Sequence, residues 1–264
     1  MSQSITHPMD LALRLVWAGS ILAHLILAVR IWQTGLARVY RVFFCYLGFR
    51  VVRSLVLECL PYQRDAYGYF WIATNPVLWF FYILIVLEVY SLVLQKYRGI
   101  AKLGRWAVVS GLAVSLVISA LTLGTDLFNG SKQYPLLLYS NIVERGVVTS
   151  LVLFILFITA FLVWYPVPLA RNTVVHCIVY AAYFLSMTMA LLVRSLAGIQ
   201  LVGSLNLAIS STTLACLLVW IFFLNQKGET ATVSMRHQWA AEDESQIMEH
   251  LSQINSTLLR IGRK

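Results

Sequence analysis

Arg50 and Arg53 lie in the stretch FFCYLGFRVVRSLVLECLP, residues 43–61, which is otherwise apolar enough to cross a bilayer. Three residues apart on a helix, they share a face, with Tyr46 one turn before Arg50. An ionisable side chain at mid-membrane costs roughly 2.5–3.5 kcal/mol on insertion scales, so it marks a functional position by default. A guanidinium presents a rigid fork of donors that suits carboxylate or phosphate. The chemistry implied is capture of an anionic or polar group.

Buried arginines need acceptors. Glu58 is five residues beyond Arg53, well round the helix, and is a poor partner for it. Glu88, further along the next apolar run, is a candidate for Arg50, and Asn75 a candidate for Arg53. The pair Asn75-Pro76 implies a kink that frees backbone carbonyls as further acceptors. A second polar group, Arg14, Glu58, Arg64, Asp65, Glu144, Arg145 and Arg194, falls near the outer ends of the apolar runs. Glu144 and Arg194 are placed to pair. Two readings stand for this group: interfacial salt bridging, or a polar outer cavity that narrows toward Arg53 and Arg50.

Other chemistries lack their residues. There is no GxSxG, HExxH or P-loop, and no carboxylate pair at helical spacing, so no enzyme is indicated. His24 and His176 fall at different depths with no partner at i+4, which argues against haem or a metal. The last apolar run has no lysine, so it offers no retinal Schiff base, and no cofactor is predicted. Cys45, Cys59, Cys177 and Cys216 all fall in apolar runs without a CxxC pair, giving neither a disulfide framework nor a zinc signature.

The elements that position these residues are membrane spans. Of 264 residues, 59% are hydrophobic and 12% charged, and mean hydropathy is +0.76. Soluble domains carry about 25% charged residues. The apolar residues fall into runs of about 20, the length that crosses the hydrocarbon core as a helix. No ten-residue alternation suggests a β-barrel. Seven spans are read at about 11–32, 40–60, 69–94, 106–124, 143–165, 173–194 and 201–224, divided by Pro61, Gly99, Gly130 with Pro135, Pro166 with Pro168, and Gly198. The expected fold is an all-α, seven-transmembrane-helix bundle, residues 1–224, followed by a tail, residues 225–264.

Loop charge sets the orientation. Arg38 and Arg41, then Lys96, Arg98, Lys102 and Arg105, then Arg171, then Lys227 follow alternate spans, whereas the opposite loops hold only Arg64 and Lys132. The positive-inside rule places the N-terminus outside and the C-terminus in the cytoplasm. The net charge of +9 is explained in this way and not by nucleic acid. The first ten residues hold no Lys or Arg, so the first span reads as retained and not as a cleaved signal.

Span four carries Ala107, Gly111, Ser115 and Ser119 every fourth residue, and span seven carries Ser204, Ala208, Thr212 and Cys216 likewise. Small residues on one face let helices approach closely, in the bundle or in a homodimer seam. In the tail, Ile247, Leu251, Ile254, Leu258 and Ile261 fall at spacings of 4, 3, 4 and 3, an a/d stripe on an amphipathic helix over about 241–262. That stripe fits docking on the bundle or bilayer, a dimer seam, or a partner in a membrane complex.

Tyr69, Phe70 and Trp71, then Glu88 and Tyr90, then Tyr97 and Leu103-Gly104-Arg105 resemble a pattern in uncharacterised bacterial multi-pass membrane proteins of similar length. The resemblance covers span three and the loop after it and implies a bacterial inner-membrane setting.

Three functions are compatible with these residues. The first is a binding or signalling protein with an outer, arginine-containing cavity for an anionic or polar ligand. The second is a transporter or channel for an anion or proton, which needs a route inward past Arg50 by way of Glu88, Tyr90 and span seven. The third is an accessory subunit of a larger membrane complex, which would turn the Arg50–Arg53 face outward when alone.

Overall fold

The structure is a computed structural model that describes residues 8–60, 65–94, 135–164, 169–197 and 202–233, and positions 246, 249, 250, 252–257 and 260. Side chains at 8–10, 65, 135–139, 141, 142, 161–164, 194–197 and 202 are outside that description. Span four, with Ala107, Gly111, Ser115 and Ser119, lies outside the described residues, as do Ile247, Leu251, Leu258 and Ile261.

The helices are α1 (Pro8–Gln33), α2 (Arg41–Cys59), α3 (Asp65–Val93), α4 (Pro135–Trp164), α5 (Arg171–Ala197), α6 (Val202–Phe223) and the short α7 (Gln226–Thr230). A left-handed Gly35, φ 72°, ends α1, and a 3-10 turn at Leu36–Arg38 leads into α2. Helix α3 runs as one element through Pro76, the residue expected to kink it.

Five described helices, α1, α3, α4, α5 and α6, contain stretches long and apolar enough to cross a membrane. Helix α2 has 19 residues, about 28 Å at 1.5 Å per residue, which also matches a bilayer core. Arg50, Arg53 and Glu58 keep it out of the apolar set. The chain is an all-α, multi-pass membrane protein. Among the described residues, the exception to all-α is one antiparallel pair, β1 (Leu169–Ala170) with β2 (Thr232–Val233), in the register Leu169–Val233 and Ala170–Thr232.

The described helices form a closed ring, an order that the sequence does not supply. Each of α1 to α6 packs on the next, and α6 packs back on α1. Two neighbouring pairs run parallel. Asn75 meets Ser140 and Tyr90 meets Phe154, so α3 and α4 point the same way. Gly19 faces Leu214, while His24 lines a cavity with Cys216 and Trp220, so α1 and α6 do too.

The ring is apolar outside and mixed inside. Leu15, Trp32, Phe80, Leu153, Phe157 and Phe222 are exposed, as lipid-facing positions should be, because hydrocarbon imposes no penalty on them. Leu27, Phe43, Leu47, Ile85, Val148, Leu151, Phe184 and Leu217 fill the core. Among them lie Arg53, Asn75, Ser140, His24 and His176, all buried.

Candidate functional site: an intramembrane polar cluster

The site begins with the placing of α2. The backbone N–H groups of Val42 and Phe43 donate to the two carboxylate oxygens of Glu88, at 2.9 and 3.2 Å. The first N–H groups of a helix have no partner within it, so a carboxylate there satisfies them and complements the helix dipole. Glu88 is therefore a cap for α2. It is not the partner of Arg50 expected from sequence, which lies two helical turns further along α2. The clamp fixes the start of α2 on α3 and turns Tyr46, Arg50 and Arg53 to the inner side.

Arg53 is anchored on α3. Its Nε donates to Thr74 Oγ1 at 2.8 Å, and its Nη2 donates to Asn75 Oδ1 at 2.7 Å and to the Trp71 carbonyl at 3.4 Å. Thr74 Oγ1 in turn donates to the carbonyls of Phe70 and Trp71. The Asn75 amide then donates to Ser140 Oγ at 3.1 Å, which carries the network to α4. Arg53 is only 5% exposed, so these bonds compensate a charge removed from water.

Arg50, one turn away on the same face, is placed differently. It is half-buried, and its Nε is buried without a hydrogen-bond partner among the described residues. Tyr46, Tyr82, Tyr183 and Glu144 lie within electrostatic reach of its guanidinium. The Tyr82 and Tyr183 hydroxyls bond each other at 3.0 Å. The result is a cation in a nest of phenols contributed by α2, α3 and α5.

Toward the α7 end the interior becomes aromatic. Phe43, Tyr180 and Trp220 pack around His176, with ring centroids 5.0, 5.8 and 5.9 Å from the imidazole. His176 is fully buried and neither ring nitrogen has a partner among the described residues. A cavity beside this group is lined by His24, Tyr46, Tyr180, Tyr183, Thr213, Cys216, Leu217 and Trp220. The space open to a water centre is about 10 Å³. His24 Nδ1 lies 2.6 Å from the Ser20 carbonyl, so a ring hydrogen on that nitrogen satisfies both groups.

A clasp closes the α7 end. Tyr40, fully buried before α2, donates its hydroxyl to Glu229 Oε2 at 3.0 Å. Asn172, at the start of α5, donates from Nδ2 to the same oxygen at 3.0 Å and to the Asn225 carbonyl at 2.9 Å. Asn225 caps α7, its side chain accepting from Gly228 N at 2.7 Å. A Cβ on Gly228 would overlap the Asn172 amide oxygen, so the close approach requires glycine. Burial pushes the Tyr40 phenol well above the usual tyrosine range. A bond with Thr173 opposes that, and the nearby charges of Glu229 and Glu88 add to it. Tyr40 therefore remains a donor at any physiological pH.

Of the other sequence candidates, Arg14 and Glu58 are exposed and Arg145 is half-buried on α4. Glu144 acts on both Arg50 and Arg53. Arg64 and the side chains of Asp65 and Arg194 lie outside the described residues, so the Glu144–Arg194 pairing does as well. The tail positions that are described are helical, and Ile254 is exposed there. Among the described residues no group of three His, Cys, Asp or Glu gathers. Sequence reasoning missed Tyr82, Tyr183, Tyr180, Trp220 and the clasp. The signal available for the clasp was the local one, Asn225 followed three residues later by Gly228.

Comparison with known proteins gives no match: none with a protein-family model, none with a curated protein, and none with a solved structure.

Proposed function

We propose that this protein is a sensor-like membrane receptor for a small anionic or polar ligand, with Arg50 as the binding cation and the tail as the output. The observation that carries this reading is the contrast on α2. Arg53 is saturated by α3, while Arg50 keeps a buried, unmatched Nε among three tyrosines. A buried donor without an acceptor costs about 1–3 kcal/mol, more when charged, which an anion at that position would recover.

Two further observations favour a receptor over the other readings. Glu88 is engaged by α2 and Tyr90 packs on Phe154, so neither lines an inward route. Beyond the phenol nest, the cavity lined by His24, Tyr180 and Trp220 has open space of only about 10 Å³. An accessory subunit would turn the Arg50–Arg53 face outward, whereas Arg53 is buried. The clasp links that interior to the segment from which the tail departs.

The membrane setting we infer is seven spans, N-terminus outside and C-terminus cytoplasmic, in a bacterial inner membrane. The parallel packing of α3 on α4 supports the count, because one more crossing between them is what it needs. Arg30, Arg38, Arg41, Arg171 and Lys227 gather at the α7 end, which supports the orientation.

The test is a thermal-shift titration of the purified protein in nanodiscs with acetate, succinate and inorganic phosphate. A ligand at 100 times its Kd stabilises by about 2.7 kcal/mol. At least one probe should raise the melting temperature of the wild type and not that of Arg50→Gln. Equal shifts in both proteins, or no shift with any probe, would sink the proposal. Flux of a probe across proteoliposomes would establish the transporter instead.

A further inference from the structure

Two cations at the edge of the clasp have no anion to meet. Arg171 opens α5 and Lys227 lies in α7, each one residue from the close approach of Asn172 and Gly228. The Arg171 backbone N–H donates to the Ala231 carbonyl at 2.9 Å, which holds the start of α5 beside the end of α7. Neither cationic side chain makes a hydrogen bond or an ion pair among the described residues. Glu229, two residues from Lys227, is already taken up by Tyr40 and Asn172.

The position of Arg171 says which surface its charge serves. Its Cζ lies 5.9 Å from the centroid of the Phe223 ring. Phe223 is exposed at the end of α6, and Phe222, Val219 and Leu218 continue that exposed apolar face along the helix. A guanidinium over an aromatic face gains cation–π attraction but keeps its charge. The charge is thus held at the rim where the lipid-facing wall of α6 ends. Lys227, also exposed, extends the same rim from α7.

We propose that this rim binds an anionic phospholipid, its phosphate between Arg171 and Lys227 and an acyl chain on the exposed face of α6. Arginine forks two donors onto phosphate oxygens, and lysine meets them as a point charge. Two cations without a carboxylate favour a headgroup of net negative charge over a zwitterionic one, whose own ammonium they repel. Arg171 belongs to α5 and Lys227 to α7, so one phosphate that bridges them also holds the clasp shut. The clasp is then tighter in a leaflet rich in anionic lipid than in a neutral one. The inference does not depend on the reading of Arg50.

Release of the tail tests it, read by limited proteolysis in nanodiscs with a protease that does not cut at basic residues. One set of discs contains phosphatidylcholine alone, the other phosphatidylcholine with phosphatidylglycerol. Wild-type cleavage should be several-fold slower with phosphatidylglycerol, and that protection should vanish in Arg171→Gln. Lys227 is exposed, so Lys227→Gln repeats the measurement if Arg171→Gln does not fold. Arg38→Gln removes one charge from an exposed position at the same end and should keep the protection. Equal wild-type rates in the two membranes overturn the proposal, as does protection that survives loss of Arg171 or Lys227. Protection lost equally in Arg38→Gln would show an effect of net charge and overturn the site. Glycerol 3-phosphate added to the phosphatidylcholine discs should not protect, and equal protection by it would overturn the lipid as the source of the phosphate.

Discussion

Arg50 and Arg53 stand one turn apart on the same face of α2, yet Arg53 is bound at both Nε and Nη2 and Arg50 has a buried Nε that bonds nothing among the described residues. The membrane raises the cost of both charges, but α3 offsets only one of them. The proposed reading of Arg50 as the ligand-binding cation rests on that asymmetry.

Arg53→Met should destabilise the bundle by about 1–3 kcal/mol, because it leaves the Asn75 amide oxygen without its donor in the core. Arg53→Lys keeps the charge but not the fork, and should fall between Met and wild type. Thermal unfolding in one detergent ranks the three. A Lys variant as stable as wild type would show that charge alone suffices.

Glu88→Ala removes the acceptor for the first N–H groups of α2. Loss of such a cap costs about 0.5–2 kcal/mol. Glu88→Gln keeps an acceptor oxygen and should recover part of it. Amide exchange at Val42 and Phe43 should accelerate in Ala more than in Gln. Unchanged exchange in both variants would mean that another group caps α2.

Gly228→Ala places a Cβ against the Asn172 amide oxygen. The clasp must then open, since that oxygen belongs to a side chain held by Asn225 and Glu229. Limited proteolysis should release the tail several-fold faster, while Arg53 and its partners stay as they are. Equal cleavage rates would show that Asn172 gives way without loss.

Tyr40→Phe removes the hydroxyl that reaches Glu229 and should cost about 1 kcal/mol or more near neutral pH. The Tyr40 pKa is raised by folding, so its contribution is complete below about pH 10, where the unfolded phenol keeps its proton too. Above that value the unfolded chain loses the proton first and the advantage over Phe shrinks. Melting temperatures of the two proteins should converge as pH rises past about 10. A gap that widens instead would place the unfolded phenol's proton higher than the folded one's.

Much of the membrane character was legible in the chain. Runs of apolar length give the helices, since the bilayer requires that each span satisfy its own backbone. The proximity of Arg53 and Asn75 was legible too, because the two lie at similar depth on successive spans. Glu88 was misassigned to Arg50 because charge suggests a charged partner, whereas helix ends offer a carboxylate equally good neutral donors. The nest of Tyr46, Tyr82 and Tyr183 was not legible. Tyrosine is apolar enough to pass for core, and only the order of helices around the ring brings these three together.

The ring closes by packing α6 against α1, which leaves the ribosome before it. During biosynthesis, then, the inner side of α1 has no α6 to face until residues 202–223 have entered the bilayer. Ser20 and His24 must wait in lipid or against a chaperone during that interval. A chain stalled before α6 would present them as an open polar seam, the feature by which membrane quality control could distinguish an unfinished molecule from a completed one.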